Sequence, residues 1–359
     1  MTDHPFEYVL ELWHKSPGEV LGRVPIKIDW VPVREALIMD LLRRGVIDQP
    51  TALPSISVKP VWDEHIGPPA IIGFRATLAA AGTEASRIFT TTYFKAQAQQ
   101  ASRLFVERGG LKQGETFEYC VLAIPRRPAA QTSPRFSLTQ KEIPLLIKPA
   151  KIERLMAGAL LFGTQKPQDF PVFFHWRVLE QASLQTRKAG SSETGGLLVG
   201  HVCRDAELPE LFLEITELIP ASAKGELTRL SFTPDTWTDV QAAIDRRNRG
   251  EIWLGWFHSH SFYYERNDDT ETKDRFDRKI PTPFLSEEDC RLHRVCFPRA
   301  YGIALLITDS PRSGMSWTTF GWRSGELARR AFHVIRAPLP TGFEIKGEKN
   351  ESDREHVMQ

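Results

Sequence analysis

The strongest chemical feature of this sequence is a pair of histidines two residues apart, in the segment Gly255–His260. They follow an apolar run from Ile252 to Phe257, which is typical of a buried strand. Because side chains alternate between the two faces of a strand, we expect His258 and His260 to lie on one face. Two imidazoles placed in this way can bind the same metal ion.

Carboxylates elsewhere in the chain could complete such a site. Asp289 is the predicted third ligand, and Glu193 is a carboxylate that would stay free of the metal. Catalytic zinc takes three His or carboxylate ligands and keeps a fourth position for water. A free carboxylate can accept the proton of that water and pass it to a leaving amine. Ser286, one helical turn before Asp289, can direct its hydroxyl at an oxyanion. These residue types predict a hydrolytic zinc centre.

The elements that would position these side chains fall in the second half of the chain. Glu193 precedes an apolar strand that runs to Gly200, and the segment Ser286–Asp289 resembles a capping box that opens a helix. His293, one helical turn after Asp289, could face the metal or, more simply, be an outer-shell or surface group. We expect Trp256 to be a packing residue. Further predicted elements are a strand at Leu211–Leu218, a helix after the N-cap Thr233, and strands at Ala300–Thr308 and Ser316–Trp322.

Composition and breaker residues predict a two-domain α/β protein. Residues 1–125 form an α+β domain of unknown role, within which residues 55–125 read as three strands, a helix and a strand. The third of these strands is predicted at Phe89–Phe94. A Pro-rich linker and connecting region covers 126–169, the domain with the candidate site covers 170–335, and 336–359 is predicted to be a disordered tail.

Bulk composition argues against several classes of partner. The chain of 359 residues has 46 basic and 45 acidic residues, so we expect no nucleic-acid or membrane partner. No apolar run approaches the ~18 residues of a membrane helix, and the start shows no signal-peptide pattern. The four cysteines form no C-x-x-C pair, which argues against a thiolate zinc site and favours a reducing compartment. We therefore expect a cytoplasmic protein.

The order Glu, then His-Ser-His, then Ser-x-x-Asp resembles the JAMM (JAB/MPN) zinc metalloproteases. The resemblance covers about residues 170–325 and is closest to the prokaryotic type of JAB domain, here with an extra N-terminal domain. It implies a central mixed sheet flanked by helices in the second domain. The segments that carry it are Glu193–Gly200, Phe232–Asp235, Gly255–His260, Ser286–Asp289 and Tyr301–Ile307.

Carried over by position, the resemblance implies a role for each candidate residue. His258, His260 and Asp289 would bind Zn²⁺, Glu193 would be the general base and acid, and Ser286 would stabilise the oxyanion. The implied reaction removes a ubiquitin-like modifier from lysine conjugates or processes its precursor. Partners would be the modifier, its conjugates, and the activating and conjugating enzymes of the same system. The alternatives are a non-catalytic MPN-type scaffold in a larger assembly, and a peptidase for a sulfur-carrier-like precursor.

The sequence departs from the family pattern after His260. Ser261 stands where the family usually has Pro, and residues 261–285 are a longer spacer than usual. Counting the usual spacing from His260 gives Glu271 as a rival third ligand, with Asp268 at the Ser position. We favour Asp289, because the residues before Ser286 resemble the family's approach to its Ser-x-x-Asp. Residues 261–285 could form a lid beside the site or a solvated surface loop.

Overall fold

The computed structural model describes residues 5–15, 19–50, 56–80, 82–126, 145–190, 192–208, 210–220, 234–261, 283–310 and 314–335. Over these ranges the chain is mixed α/β, with more strands than helices. It divides into two compact units. Unit 1 holds the described residues up to Leu145 together with Ser324–Glu326, and unit 2 holds the rest. Across the described ranges, every helix is too short or too polar to cross a membrane.

The described residues of unit 1 form an antiparallel sheet with two α-helices. The strands are arranged in the order β2-β1-β6-β4-β3, and β5 also pairs with β4. The elements in chain order are β1 (Phe6–His14), β2 (Val20–Ile26), α1 (Val31–Arg43), β3 (Ser57–Trp62), β4 (Ala70–Ala80), β5 (Thr83–Thr90), α2 (Lys95–Glu107) and β6 (Phe117–Pro125).

An aromatic cluster lies at the centre of unit 1. Phe74 on β4 stacks on Phe89 with ring centroids 5.1 Å apart and meets Tyr93 and Phe94 edge-on. We expected a strand through Phe94, but β5 ends at Thr90 and a 3₁₀ turn follows. The reason is that successive strand residues point to opposite faces, whereas Tyr93 and Phe94 are both buried in this cluster.

The described residues of unit 2 form a larger, mixed sheet with four helices. Its elements in chain order are β7 (Ile147–Pro149), α3 (Ile152–Met156), β8 (Leu160–Phe162), β9 (Val172–His175), α4 (Trp176–Ala189), β10 (Gly195–Arg204), β11 (Leu211–Pro220), α5 (Pro234–Arg247), β12 (Ile252–Ser261), α6 (Glu287–Cys296), β13 (Ile303–Ser310), β14 (Gly314–Arg323), β15 (Glu326–Arg330) and β16 (Phe332–Ile335). The strand order is β15-β14-β13-β12-β10-β11-β9-β16-β8, and β7 pairs with β10.

Strand β12 lies in the middle of this sheet. It is antiparallel to β10, where Gly195 pairs with His258, and parallel to β13, where Leu306 pairs with the same histidine. On the far side β9 runs parallel to both β11 and β16. Parallel neighbours need a long crossover connection rather than a tight turn, and the connection from β12 to β13 contains α6.

Helices cover both faces of the sheet. On one face, the indole Nε1 of Trp317 on β14 donates to Ser183 Oγ on α4 at 3.0 Å. Trp317 pairs with Ile307, so the neighbouring Leu306 points to the opposite face. There Leu306 belongs to a core cluster with Val240 of α5. The expected arrangement of helices on both sides of a mixed sheet is therefore present.

Residues 146–169, which we expected to connect the two domains, contribute to the sheet and core of unit 2. β7 pairs with β10, β8 pairs with β16, and Ile152 of α3 joins a core cluster with Phe173 and Phe212. Both strands are three residues long, which is too short for an alternation to be recognised in the sequence. Residues 127–144 of the predicted linker and connecting region lie outside the described residues, as does the whole predicted tail, 336–359.

Candidate metal centre

Strand β12 places both histidines on one face of the sheet, as alternation predicts. Their Nε2 atoms lie 3.0 Å apart. His258 is fully buried, whereas the side chain of His260 is 18% exposed and lies toward the end of the strand. The pair is thus reached from solvent on the His260 side.

Helix α6 delivers the carboxylate of Asp289 through its own N-cap. Ser286 is the N-cap residue, and its Oγ accepts a hydrogen bond from the backbone N–H of Asp289 at 3.1 Å. In return Asp289 Oδ2 accepts hydrogen bonds from the backbone N–H of Ser286 at 2.8 Å and from its hydroxyl at 2.7 Å. This is a complete capping box with Asp at the third helical position, as the sequence predicts. The cap fixes the rotamer of Asp289.

Three candidate ligand atoms meet between β12 and α6. Asp289 Oδ2 lies 3.4 Å from His258 Nε2 and 3.5 Å from His260 Nε2, and the two Nε2 atoms are 3.0 Å apart. Two ligands held about 2.0–2.1 Å from one tetrahedral zinc ion lie about 3.4 Å from each other. The three separations therefore fit one small ion, and the donor set of two nitrogens and one oxygen suits zinc.

The ionisation of the cluster also suits a cation. Burial alone would raise the pKa of the Asp289 carboxyl, but hydrogen bonds from His258, His260 and Ser286 hold that pKa far below its usual range. Burial lowers the pKa of His258 because it disfavours the imidazolium, although Asp289 opposes this effect. An ionised carboxylate and a neutral imidazole are the forms that bind metal ions.

Glu193 lies at the entrance to β10, beside the histidine strand. The backbone N–H of Ser259 donates to Thr194 O at 2.9 Å, and Gly195 pairs with His258, so Glu193 is level with His260. Burial raises the pKa of Glu193, repulsion from Asp289 and Glu288 adds to this, and His260 opposes it. A half-buried carboxyl with a raised pKa has the properties of a general base.

The Ser286 hydroxyl is engaged with Asp289 rather than free. Its proton is donated to Asp289 Oδ2, while its oxygen accepts from the backbone of α6. Donation to an oxyanion would therefore require the O–H to rotate away from the carboxylate. Four of the five predicted site residues, His258, His260, Ser286 and Asp289, meet directly, and Glu193 interacts with them electrostatically.

Two aromatic contacts at the site were not predicted from the sequence. Phe284 is 59% exposed, and its ring centroid lies 6.0 Å from that of His260. Trp256 donates from Nε1 to Nδ1 of His293 at 3.1 Å, and both residues are buried. His293 therefore faces Trp256 rather than solvent. The helical spacing of Asp289 and His293 indicates that the two share a helix face, but no sequence signal points to the contact with Trp256.

The rival third ligand Glu271 and its neighbour Asp268 lie outside the described residues, as do residues 262–282 of the predicted lid. The choice between Asp289 and Glu271 stays a prediction. Within the described residues, the group His258, His260 and Asp289 is the one set of three ligand-type side chains close enough to share a metal ion.

Comparisons with known proteins add little to this geometry. Neither a protein-family model nor a curated protein matches the sequence. Among solved structures, the chain is similar to the solution structure of protein DSY2949 from Desulfitobacterium hafniense, with 20% sequence identity and a TM-score of 0.32. That similarity covers 46% of this chain and 94% of the other. At this TM-score it carries no argument about fold or function.

Proposed function

We propose that the chain is a zinc-dependent isopeptidase of the JAMM (JAB/MPN) type. It would remove a ubiquitin-like modifier from lysine conjugates or process the precursor of that modifier. The observation that carries the proposal is the triangle of His258 Nε2, His260 Nε2 and Asp289 Oδ2, with sides of 3.0, 3.4 and 3.5 Å. The order of the residue types along the chain, described above for the sequence, is the second support.

His258, His260 and Asp289 would hold the zinc ion. When bound, the ion would supply a Lewis acid for the scissile carbonyl and would acidify a water molecule. The rigid cap of Asp289 and the burial of His258 favour a preorganised site, which lowers the cost of ordering the ligands when metal binds. The exposed side of His260 leaves room for substrate to approach.

Glu193 would move the proton. Its carboxylate would take a proton from the attacking water and deliver it to the lysine amine as the isopeptide bond breaks. The raised pKa of Glu193 favours this second step, because a carboxyl with a raised pKa holds the proton long enough to donate it. The Ser286 hydroxyl, rotated away from Asp289, would donate a hydrogen bond to the developing oxyanion.

Unit 1 would serve recognition. No described group of three metal ligands falls within it, and its described residues form a sheet with two packed helices. We propose that it binds the modifier, a conjugated target or a partner enzyme of the same conjugation system. We further propose that unit 2 has the JAB/MPN fold and that the protein acts in the cytoplasm.

Two measurements on the purified full chain test the proposal. The first is zinc content after dialysis against limiting Zn²⁺, for which we expect one ion per chain. The second is cleavage of ubiquitin-like proteins presented either as lysine conjugates or as linear fusions. Cleavage of the conjugate supports the isopeptidase, and cleavage of the fusion alone favours a precursor peptidase. A chain that binds no zinc would instead be a scaffold, and the proposal would be wrong.

A further inference from the structure

Trp256 and His293 join the two elements that carry the candidate metal ligands. Trp256 lies on β12, two residues before His258, and His293 lies on α6, four residues after Asp289. The indole N–H donates to His293 Nδ1 at 3.1 Å, and neither side chain is exposed. This hydrogen bond therefore connects strand and helix directly below the candidate metal centre.

Each partner is also in register with a candidate ligand. The indole ring of Trp256 stacks on the imidazole of His258, with ring centroids 4.5 Å apart and planes inclined by 14°. Residues four apart on a helix lie on the same face, so His293 stands one turn below Asp289. A shift of His293 relative to Trp256 would therefore be transmitted to the separation of Asp289 and His258.

We propose that Trp256 and His293 are a positioning pair, whose hydrogen bond sets the spacing of Asp289 from His258 and thereby the affinity for the metal ion. The inference rests on the metal site proposed above. It assigns the pair no contact with metal or substrate.

The polarity of the pair argues for positioning rather than for stability. An indole N–H only donates, so His293 Nδ1 must accept and its proton must lie on Nε2. Burial lowers the pKa of His293 to about 3, although the Gly302 backbone opposes this effect, so the ring is neutral and Nδ1 is free to accept. Nε2 is buried and makes no well-formed hydrogen bond within the described part of the chain.

A buried N–H whose contact with the Gly302 backbone falls short of a well-formed hydrogen bond costs stability. Apolar residues at both positions would avoid that cost, so packing alone does not account for a Trp–His pair. A directional hydrogen bond does account for it, because it selects one arrangement of α6 against β12 where apolar contacts would allow several.

The test compares two substitutions of His293 that separate hydrogen bonding from packing. His293→Leu keeps much of the side-chain volume but removes the acceptor, whereas His293→Asn loses volume but keeps an acceptor near the position of Nδ1. We expect His293→Leu to weaken zinc binding by about 10- to 100-fold, the usual effect of losing an outer-shell partner. We expect His293→Asn to recover most of that loss. Zinc affinity would be measured by competition with a chromophoric chelator.

A purely structural role predicts the opposite order. His293→Leu would then bind zinc normally and His293→Asn would bind it worse, and that result would overturn the positioning pair. The visible spectrum of the Co²⁺-substituted protein gives a second readout, which we expect to change for His293→Leu and not for His293→Asn. Val295→Ala, at a 73% exposed position on the same helix, is the matched control and should leave both readouts unchanged.

A substitution of Trp256 tests the same hydrogen bond when the His293 variant does not fold. If His293→Leu does not fold, Trp256→Phe removes the donor from the other side and should weaken zinc binding to a similar extent. Normal zinc binding by a folded Trp256→Phe variant would again overturn the inference. Failure of the proposed metal site can be distinguished from failure of the positioning pair, because the wild-type protein would then bind no zinc in the same assay.

Discussion

The Oδ2 atom of Asp289 is both a candidate metal ligand and the acceptor for two hydrogen bonds from the N-cap residue Ser286. Asp289 Oδ2, which lies closest to both histidines, is also the atom that accepts hydrogen bonds from the backbone amide and the hydroxyl of Ser286. Formation of α6 therefore orients the carboxylate, and the third candidate ligand is in place whenever the helix is formed. Because the cap already restricts the side chain of Asp289, metal binding loses little of its conformational entropy.

The helix-capping and metal-binding roles of Asp289 can be separated by substitution. Asp289→Asn keeps an oxygen that can accept from Ser286 but loses the negative charge, whereas Asp289→Ala loses both. We expect both variants to weaken zinc binding by more than about 100-fold, since even outer-shell partners are worth about 10- to 100-fold. Only Asp289→Ala should also lose the cap, at about 0.5–2 kcal/mol in the free energy of unfolding without metal.

Zinc competition and urea unfolding of the metal-free protein measure these effects. Glu288→Gln, an exposed position in the same helical turn, is the control and should bind zinc as the wild type does. Full zinc affinity in Asp289→Asn would show that another residue, with Glu271 the first to examine, is the third ligand.

Glu193→Gln should separate proton transfer from metal binding. Gln has the same shape as Glu but cannot accept a proton from water, so we expect turnover to fall below detection while zinc stoichiometry stays at one. A general base contributes about 10²–10⁴-fold to rate, which sets the expected loss. Substantial residual cleavage would rule out the role given to Glu193, and loss of zinc would make it a ligand instead.

The same variant predicts a pH-dependent change in stability. Because the folded state raises the pKa of Glu193, ionising this carboxyl costs stability as the pH rises. The metal-free Glu193→Gln protein should therefore be more stable than the wild type at pH 7. The difference should vanish below the unfolded-state pKa of about 4.3. Thermal unfolding across this pH range checks the sign, and greater wild-type stability at pH 7 would contradict it.

Local patterns in the sequence were sufficient for the parts of the site that depend on short-range geometry. The period of two along β12 predicted that His258 and His260 share a face, and Ser286 with Asp289 at the third position predicted the capping box. Each of these relationships is set within four residues of chain. Both predictions were correct because each depends only on residues that are close together in the chain.

Several contacts between distant segments were not predicted. Trp256 and His293 are 37 residues apart, and nothing in the local pattern of either indicates the other. The same holds for the three-residue strands β7 and β8, whose pairing depends on where β10 and β16 already lie. Such contacts follow from the packing of the whole sheet, which propensity and periodicity do not encode.

Asp169 illustrates how a segment read as a connection can hold the fold together. Its carboxylate, which is 1% exposed, accepts hydrogen bonds from Arg323 at 2.5 and 2.8 Å and lies 3.2 Å from Arg330 Nε. We expect Asp169→Asn to lower the free energy of unfolding by about 3–5 kcal/mol, because it removes the carboxylate charge that lies against the buried guanidinium of Arg330. Urea unfolding at neutral pH measures this.

The control for Asp169 is an exposed ion pair in the same unit. Glu207 pairs with Lys151, and both side chains are about half exposed or more. Glu207→Gln should change the free energy of unfolding by no more than about 0.5 kcal/mol. Equal effects of the two substitutions would show that burial of the Asp169 carboxylate does not increase its contribution to the free energy of unfolding.

Gly255 tests whether the spacing of β12 and β13 matters for the site. A Cβ at this position would lie 1.9 Å from the carbonyl oxygen of Ile303, so Gly255→Ala forces the two strands apart. Three residues later β12 carries His258, which pairs with Leu306 of the displaced strand. We expect a loss of about 3 kcal/mol or more in the free energy of unfolding, at the upper end for overpacking, because backbone rather than a side chain must move. Zinc binding should weaken as well, since the two histidines move with the strand.

Gly110→Ala, whose Cβ would meet its nearest neighbour at 3.6 Å, is the control and should change neither the free energy of unfolding nor the zinc affinity. A Gly255→Ala protein with wild-type stability and zinc affinity would show that the strand pair can open without disturbing the candidate metal centre.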